Sequence, residues 1–261
     1  VPPQGPHGQQ HWPEGHPECG GRAQSPIDVR TQRVQPDPSL PPIRPVGHHS
    51  PGTSTFTLAN NGHTGAWVSG WGSPCVCQPC SVSPCPTAVL ALPPSLRLEG
   101  LPRSFAAVQL HFHWGHPGHA GGAEHLLDGH RAPAEVRGEP QGGGPKGGGG
   151  PPNPPPTPPN CHMCVPPPGQ TTAIPSFSVQ DLLPPRLDLY YRYNGSLTTP
   201  PCFQSVLWTL FQQPVRISLA QLEQLQGTLY ATAEAAPEPQ RLVDNFRVPQ
   251  ELNQRLVLSS F

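Results

Sequence analysis

Residues 137–171 read RGEPQGGGPKGGGGPPNPPPTPPNCHMCVPPPGQT. A glycine run joined to a polyproline-like run can neither bury apolar area nor supply a regular hydrogen-bond ladder. Whatever this chain folds into must be assembled from the sequence on either side. Residues 65–88 (GAWVSGWGSPCVCQPCSVSPCPTA) form a second break, with no sustained period and with Pro and Cys where a strand would have to continue. The chain holds 42 Pro and 28 Gly in 261 residues. Only 34% is hydrophobic and 12% charged, against about 45–50% and about 25% in ordinary globular domains. One domain over 1–261 is expected, with 65–88 an irregular insertion and 137–171 a disordered segment replacing core strands. On this reading no strand forms at position 137.

Three blocks, 5–64, 89–136 and 172–261, keep a globular texture. Thr55–Ala59 alternates like a half-buried strand, and Leu96–Leu98, Ala106–Trp114 (AAVQLHFHW) and Ser205–Phe211 are rich in strand-forming residues. Ser218–Leu229 reads as an N-capped amphipathic helix, and Arg255–Phe261 as a closing strand. Strand outweighs helix, so the class is mainly β (α+β).

The formal charge of −1 and the single lysine, Lys146, leave no basic stripe to follow a phosphate backbone and no polybasic patch. Nucleic acid is excluded as a partner. No apolar run approaches the ~20 residues of a membrane span, so this chain itself is expected to make no membrane contact. Among eight cysteines only Cys19 and Cys202 lie in ordinary sequence. The Cys75–Cys85 cluster and Cys161-His162-Met163-Cys164 match no paired zinc-binding spacing.

His111 and His113 stand at i and i+2 of a predicted strand, which puts both imidazoles on one face within reach of a single metal ion. Alone, the pair serves equally as two strand histidines hydrogen-bonded in a core. Around it stand His-Phe-His-Trp-Gly at 111–115, Gly-Gly-Ala-Glu-His at 121–125, Ala-Glu at 134–135, Asn-Asn-Gly-His at 60–63, Gln-Ser-Pro-Ile-Asp at 24–28 and Gly-Ser-Leu-Thr-Thr-Pro-Pro-Cys at 195–202. In their order and spelling these phrases resemble the α-carbonic anhydrases, and within them the extracellular, membrane-anchored members. The resemblance implies a large, twisted, mostly antiparallel sheet of about ten strands with a few short helices and a conical cleft. It also implies a Zn2+ cofactor, carbon dioxide and bicarbonate as substrates, and an extracellular location.

Carried over residue by residue, the resemblance makes His111 and His113 zinc ligands. Zinc in such a site lowers its bound water to a pKa of ~7, and the hydroxide attacks carbon dioxide. Thr198 and Glu124 would orient that hydroxide, and His63 would shuttle the proton to buffer. Gln109 matches the group that orients His111, and Leu197, Thr199, Val206 and Trp208 match the substrate pocket. Cys19 and Cys202 match the disulfide of the secreted and membrane-bound members.

The pattern breaks at the third ligand. The family has histidine as the second residue after the glutamate of an Ala-Glu-Leu-His phrase, whereas here Ala134-Glu135-Val136 is followed by Arg137. Guanidinium stays charged at ordinary pH and has no lone pair to give, so it cannot bind zinc. Glu135, matching the residue that orients the missing histidine, is expected to have lost its partner. His116, His119, His125 and His130 are the nearby histidines from which a replacement ligand would have to come. Val136-Arg137 can be encoded by GTGAGG, which begins like a splice donor, so both aberrant segments read as retained-intron-like. The reading for this chain is a carbonic anhydrase with impaired activity; the alternative is a catalytically inactive carbonic-anhydrase-related binding module.

Overall fold

The computed structural model describes residues 8–47, 56–60, 88–92, 96–102, 105–119, 121–142, 170–174, 182–231 and 237–261. Fourteen strands lie among them: β1 (Asp28–Val29), β2 (Gln35–Pro36), β3 (Arg44–Val46), β4 (Phe56–Asn60), β5 (Ala88–Ala91), β6 (Arg97–Glu99), β7 (Phe105–Trp114), β8 (Leu126–Leu127), β9 (His130–Arg131), β10 (Ala134–Gly142), β11 (Gln170–Ile174), β12 (Tyr190–Gly195), β13 (Val206–Phe211) and β14 (Leu258–Ser259). The helices among the described residues are short, the α-helical ones being α1 (Trp12–Gly15) and α2 (Leu219–Thr228). Ser218 caps α2 in a full capping box: its hydroxyl accepts the Gln221 amide at 3.1 Å, and the Gln221 side chain accepts the Ser218 amide at 2.9 Å.

The expectation of a mainly β, mostly antiparallel fold holds. The described strands fall into three groups, β1-β8-β9, β13-β12-β14-β2, and a seven-stranded sheet ordered β11-β4-β5-β7-β6-β3 with β10 paired to β7. Parallel pairing occurs at β1–β8 and β2–β14. Strand β7 is the hub, with β5 and β6 following one another along one edge and β10 along the other.

The expected break at 137 is corrected here. Strand β10 runs through Arg137 to Gly142, pairing Arg137 with His111, Gly138 with Leu110 and Glu139 with Gln109. The register shifts between Glu139 and Pro140, which is how an antiparallel ladder passes a residue that has no amide hydrogen to donate. At the far end of the segment, Gln170 and Thr171 already belong to β11, paired with β4, and Ala88 opens β5. Residues 143–169 and 65–87 lie outside the described residues.

Four apolar clusters hold these layers. Leu90, Leu92, Leu96 and Leu110 pack beneath the seven-stranded sheet. Ile27, Val29, Tyr191, Tyr193 and Val257 fill the space by β12, and Trp114 with Leu242 gathers Leu222, Leu225 and Leu229 of the α2 region. Trp12 covers the Cys19–Cys202 disulfide, whose Cα atoms are 4.9 Å apart. That bridge ties the N-terminal turns to the loop carrying Thr198.

Candidate active site

Residues directly opposite in an antiparallel ladder point to the same face. Pairing of β7 with β10 sets His111 against Arg137 and His113 against Glu135, and these four side chains share one face of the sheet. His113 is 2% exposed, and its Nδ1–H donates to the Asn245 carbonyl at 2.6 Å. Its lone pair therefore sits on Nε2, which has no hydrogen-bond partner. Burial pushes the His113 pKa down to about 4 against the opposing pull of the Glu124 carboxylate, so the ring is neutral at physiological pH. Asn245 fixes the strand on both sides: its side chain accepts the Trp114 amide at 2.8 Å and donates to the Phe112 carbonyl at 3.0 Å.

Glu124 reaches the same face from the loop leading into β8. Gly122 lets that loop lie directly on the end of β7, since a Cβ there would strike the Gly115 amide and the Pro133 carbonyl. Only 1% exposed, Glu124 accepts the Arg247 amide at 3.0 Å through Oε1 and Arg137 Nη1 through Oε2. The same Nη1 donates to Thr198 Oγ1 at 2.6 Å, and the guanidinium carbon sits 5.3 Å from the Trp208 ring centroid. Thr198 is itself 2% exposed. Arg137 therefore joins Glu124 and Thr198 with one nitrogen.

Glu135 lacks the histidine partner of the family pattern but is engaged by other groups. Its Oε2 accepts the backbone amides of Glu124 and His125, each at 2.8 Å, and its Oε1 lies 3.0 Å from His125 Nδ1. Burial would raise this carboxyl's pKa, but the adjacent His125, with Arg137 and His113 behind it, outweighs burial and holds it well below the usual carboxylate range. The chain of contacts continues from His125 Nε2 to the Tyr193 hydroxyl at 2.7 Å, which donates to Ser25 Oγ at 2.9 Å.

The other expected residues distribute as follows. Gln109 shares the His111–His113 face of β7 by strand alternation. Val206 and Trp208 stand on β13, and the Trp208 indole donates to the Ser196 carbonyl at 3.0 Å and meets His125 edge-on at 4.7 Å. Leu197 and Thr199 brace the tight turn ending at Cys202: the Leu197 amide donates to the Phe203 carbonyl and the Thr199 carbonyl accepts the Cys202 amide. His63 lies outside the described residues. Each candidate replacement ligand is held elsewhere, His116 by Asp244, His119 stacked on His116 at 5.0 Å, His125 by Glu135, and His130 by the Asp128 carbonyl. Among the described residues no three His, Cys, Asp or Glu side chains gather to hold a metal.

The family model described as eukaryotic-type carbonic anhydrase matches residues 7–137 and 162–261. The chain belongs to the eukaryotic-type carbonic anhydrase family. It is 35% identical to carbonic anhydrase 12 of Homo sapiens, over 98% of this chain and 72% of that protein. Identity is 33% to carbonic anhydrase 15 of Mus musculus, over 97% of the chain and 80% of the relative, and 30% to carbonic anhydrase 6 of Canis lupus familiaris, over 97% and 77%. The family match stops at Arg137 and resumes at His162.

Carbonic anhydrases of this type are zinc enzymes. The residues present do not fit a zinc ion at this site. His113 Nε2 offers a buried lone pair as a ligand should, but Arg137 extends N–H donors and a fixed positive charge into the face where a third donor is needed. Of the residues assembled here, sequence reading did not reach Asn245, Arg247 or Tyr193, and it gave His125 only as a possible replacement ligand and Ser25 no role. His125 directly follows Glu124 and Ser25 lies within the Gln-Ser-Pro-Ile-Asp phrase, so each carried a signal. Asn245 stands in a stretch without regular secondary structure, and no periodicity marks it.

Proposed function

We propose that the site built on His111, His113, Glu124 and Thr198 is that of a carbon dioxide/bicarbonate lyase, and that this chain hydrates carbon dioxide hardly above background. What supports the reading is one contact set: Arg137 Nη1 bonded to both Glu124 and Thr198 on the face shared with the two histidines. Thr198 and Glu124 are thereby committed to a guanidinium rather than available to orient a reacting oxygen. Leu197, Thr199, Val206 and Trp208 are assigned the substrate pocket, with Gln109 orienting His111 and His63 shuttling protons. The chain is assigned to an extracellular setting, because a buried disulfide such as Cys19–Cys202 persists in oxidising compartments. Among the described residues no helix is long and apolar enough to cross a membrane.

The same contacts favour a second reading, a catalytically silent binding module whose site is closed by its own side chain. Stopped-flow hydration with zinc quantified in the same samples tests the first: near-background rates are expected, and full activity at stoichiometric zinc overturns it.

A further inference from the structure

We propose that the Arg137 guanidinium is the resident cation of this site, holding Glu124 and Thr198 in place so that the fold needs no metal there. The sharing of a single nitrogen carries the proposal, since Nη1 donates to Glu124 and, at 2.6 Å, to Thr198 Oγ1. A carboxylate as deeply buried as Glu124 destabilises a fold unless a cation and hydrogen bonds answer it. The Arg247 amide supplies a hydrogen bond at 3.0 Å but no charge. Arginine keeps its proton at any accessible pH, so the compensation it gives is permanent.

Placement is equally built in. Pairing of β10 with β7 sets Arg137 directly opposite His111, and the Trp208 ring 5.3 Å from the guanidinium carbon gives the cation an aromatic face. The side chain is half-buried at 16% exposed, and the two groups it joins are buried. The residue that keeps a third ligand out also removes the need for one. This role concerns folding and cation uptake and holds whether or not the chain turns over carbon dioxide.

The test uses the full chain and three variants, Arg137→Met, Glu124→Gln and the double variant, with thermal unfolding in EDTA and with equimolar zinc sulfate. Breaking a buried pair in a domain of this size should lower the unfolding midpoint by roughly 6–20 °C in each single variant. The double variant, free of the unanswered carboxylate, should unfold above Arg137→Met. The parent should unfold at the same temperature in EDTA and in zinc. Losses that simply add in the double variant, an Arg137→Met midpoint equal to the parent's, or a clear zinc-induced rise in the parent would each overturn the proposal. If Arg137→Met does not fold, the double variant decides: a folded double supports the pairing, and an unfolded double beside a folded Glu124→Gln overturns it.

Discussion

Replacing Glu135 by alanine should be among the most damaging single changes to this fold. Its carboxylate satisfies the amides of Glu124 and His125, at 2.8 Å each, and sits 3.0 Å from His125 Nδ1. The carboxyl side chain is 13% exposed and the imidazole 7%, so water reaches neither freely. Each buried donor stripped of its acceptor costs about 1–3 kcal/mol, and two amides and the His125 Nδ1–H lose theirs together, so about 3–5 kcal/mol in all is expected. A loss of about 3–5 kcal/mol is a large share of the ~5–15 kcal/mol that stabilises a domain, and corresponds to roughly 6–20 °C in Tm.

Glu135→Gln keeps one oxygen for the two amides and loses the charge, so about 1–3 kcal/mol is expected. Because the folded carboxyl titrates below its ordinary value, its stabilisation is complete above the unfolded pKa of ~4.3 and disappears as pH falls through the folded value. The gap between parent and Glu135→Gln should therefore stay constant from about pH 8 to about pH 5 and narrow below about pH 4. Urea unfolding followed by tryptophan fluorescence across that range measures it. An alanine variant within ~0.5 kcal/mol of the parent, or a glutamine variant as damaged as the alanine one, would refute the reasoning.

Three further outcomes are expected. Because β10 carries position 137 across from His111, Arg137→His should raise zinc affinity by more than about 100-fold over the parent, read by competition with a chromophoric chelator; equal affinities would count against the register. Reducing Cys19–Cys202, which spans 183 residues of sequence, should remove up to about 5 kcal/mol by loop-closure entropy, and an unchanged urea midpoint in dithiothreitol would contradict it. The fall of the His113 pKa from 6.5 to about 4 should cost the native state on the order of 3 kcal/mol as pH drops through that interval, because the unfolded chain takes up the proton first. His113→Gln should flatten that slope, and a variant with the parent's slope would reject the assignment.

Elements whose sequence and environment agree were legible in advance. The strand-forming residues of AAVQLHFHW predicted β7 to within a residue, and Ser218 as N-cap predicted the start of α2. The Cys19–Cys202 disulfide followed from the family resemblance that the motifs carry. Strand β10 beyond 137 was not legible, because its residues are poor strand formers held by pairing with β7, and tertiary pairing overrides local preference. Glu135 misled for a related reason. Its expected partner is absent from the sequence, but a carboxylate accepts from whatever donors the fold brings near, here the two amides and an imidazole of a neighbouring loop. Asn245 depends on contacts across 131 residues of chain and has no local signature.

The Cys19–Cys202 bond also makes most of this polypeptide a covalent ring. Both irregular segments, all of β1 to β12, and every residue of the His111–Arg137 face lie inside the closed circuit, with only two tails outside it. A protease that severs one peptide bond anywhere between the two cysteines opens the ring without separating its ends. The nicked chain still migrates as one molecule until it is reduced, and its two fragments stay at the high effective concentration that lets paired strands remain paired. Cleavage in the C-terminal tail, by contrast, leaves whatever lies beyond the cut held by noncovalent contacts alone, such as the pairing of β14 with β12.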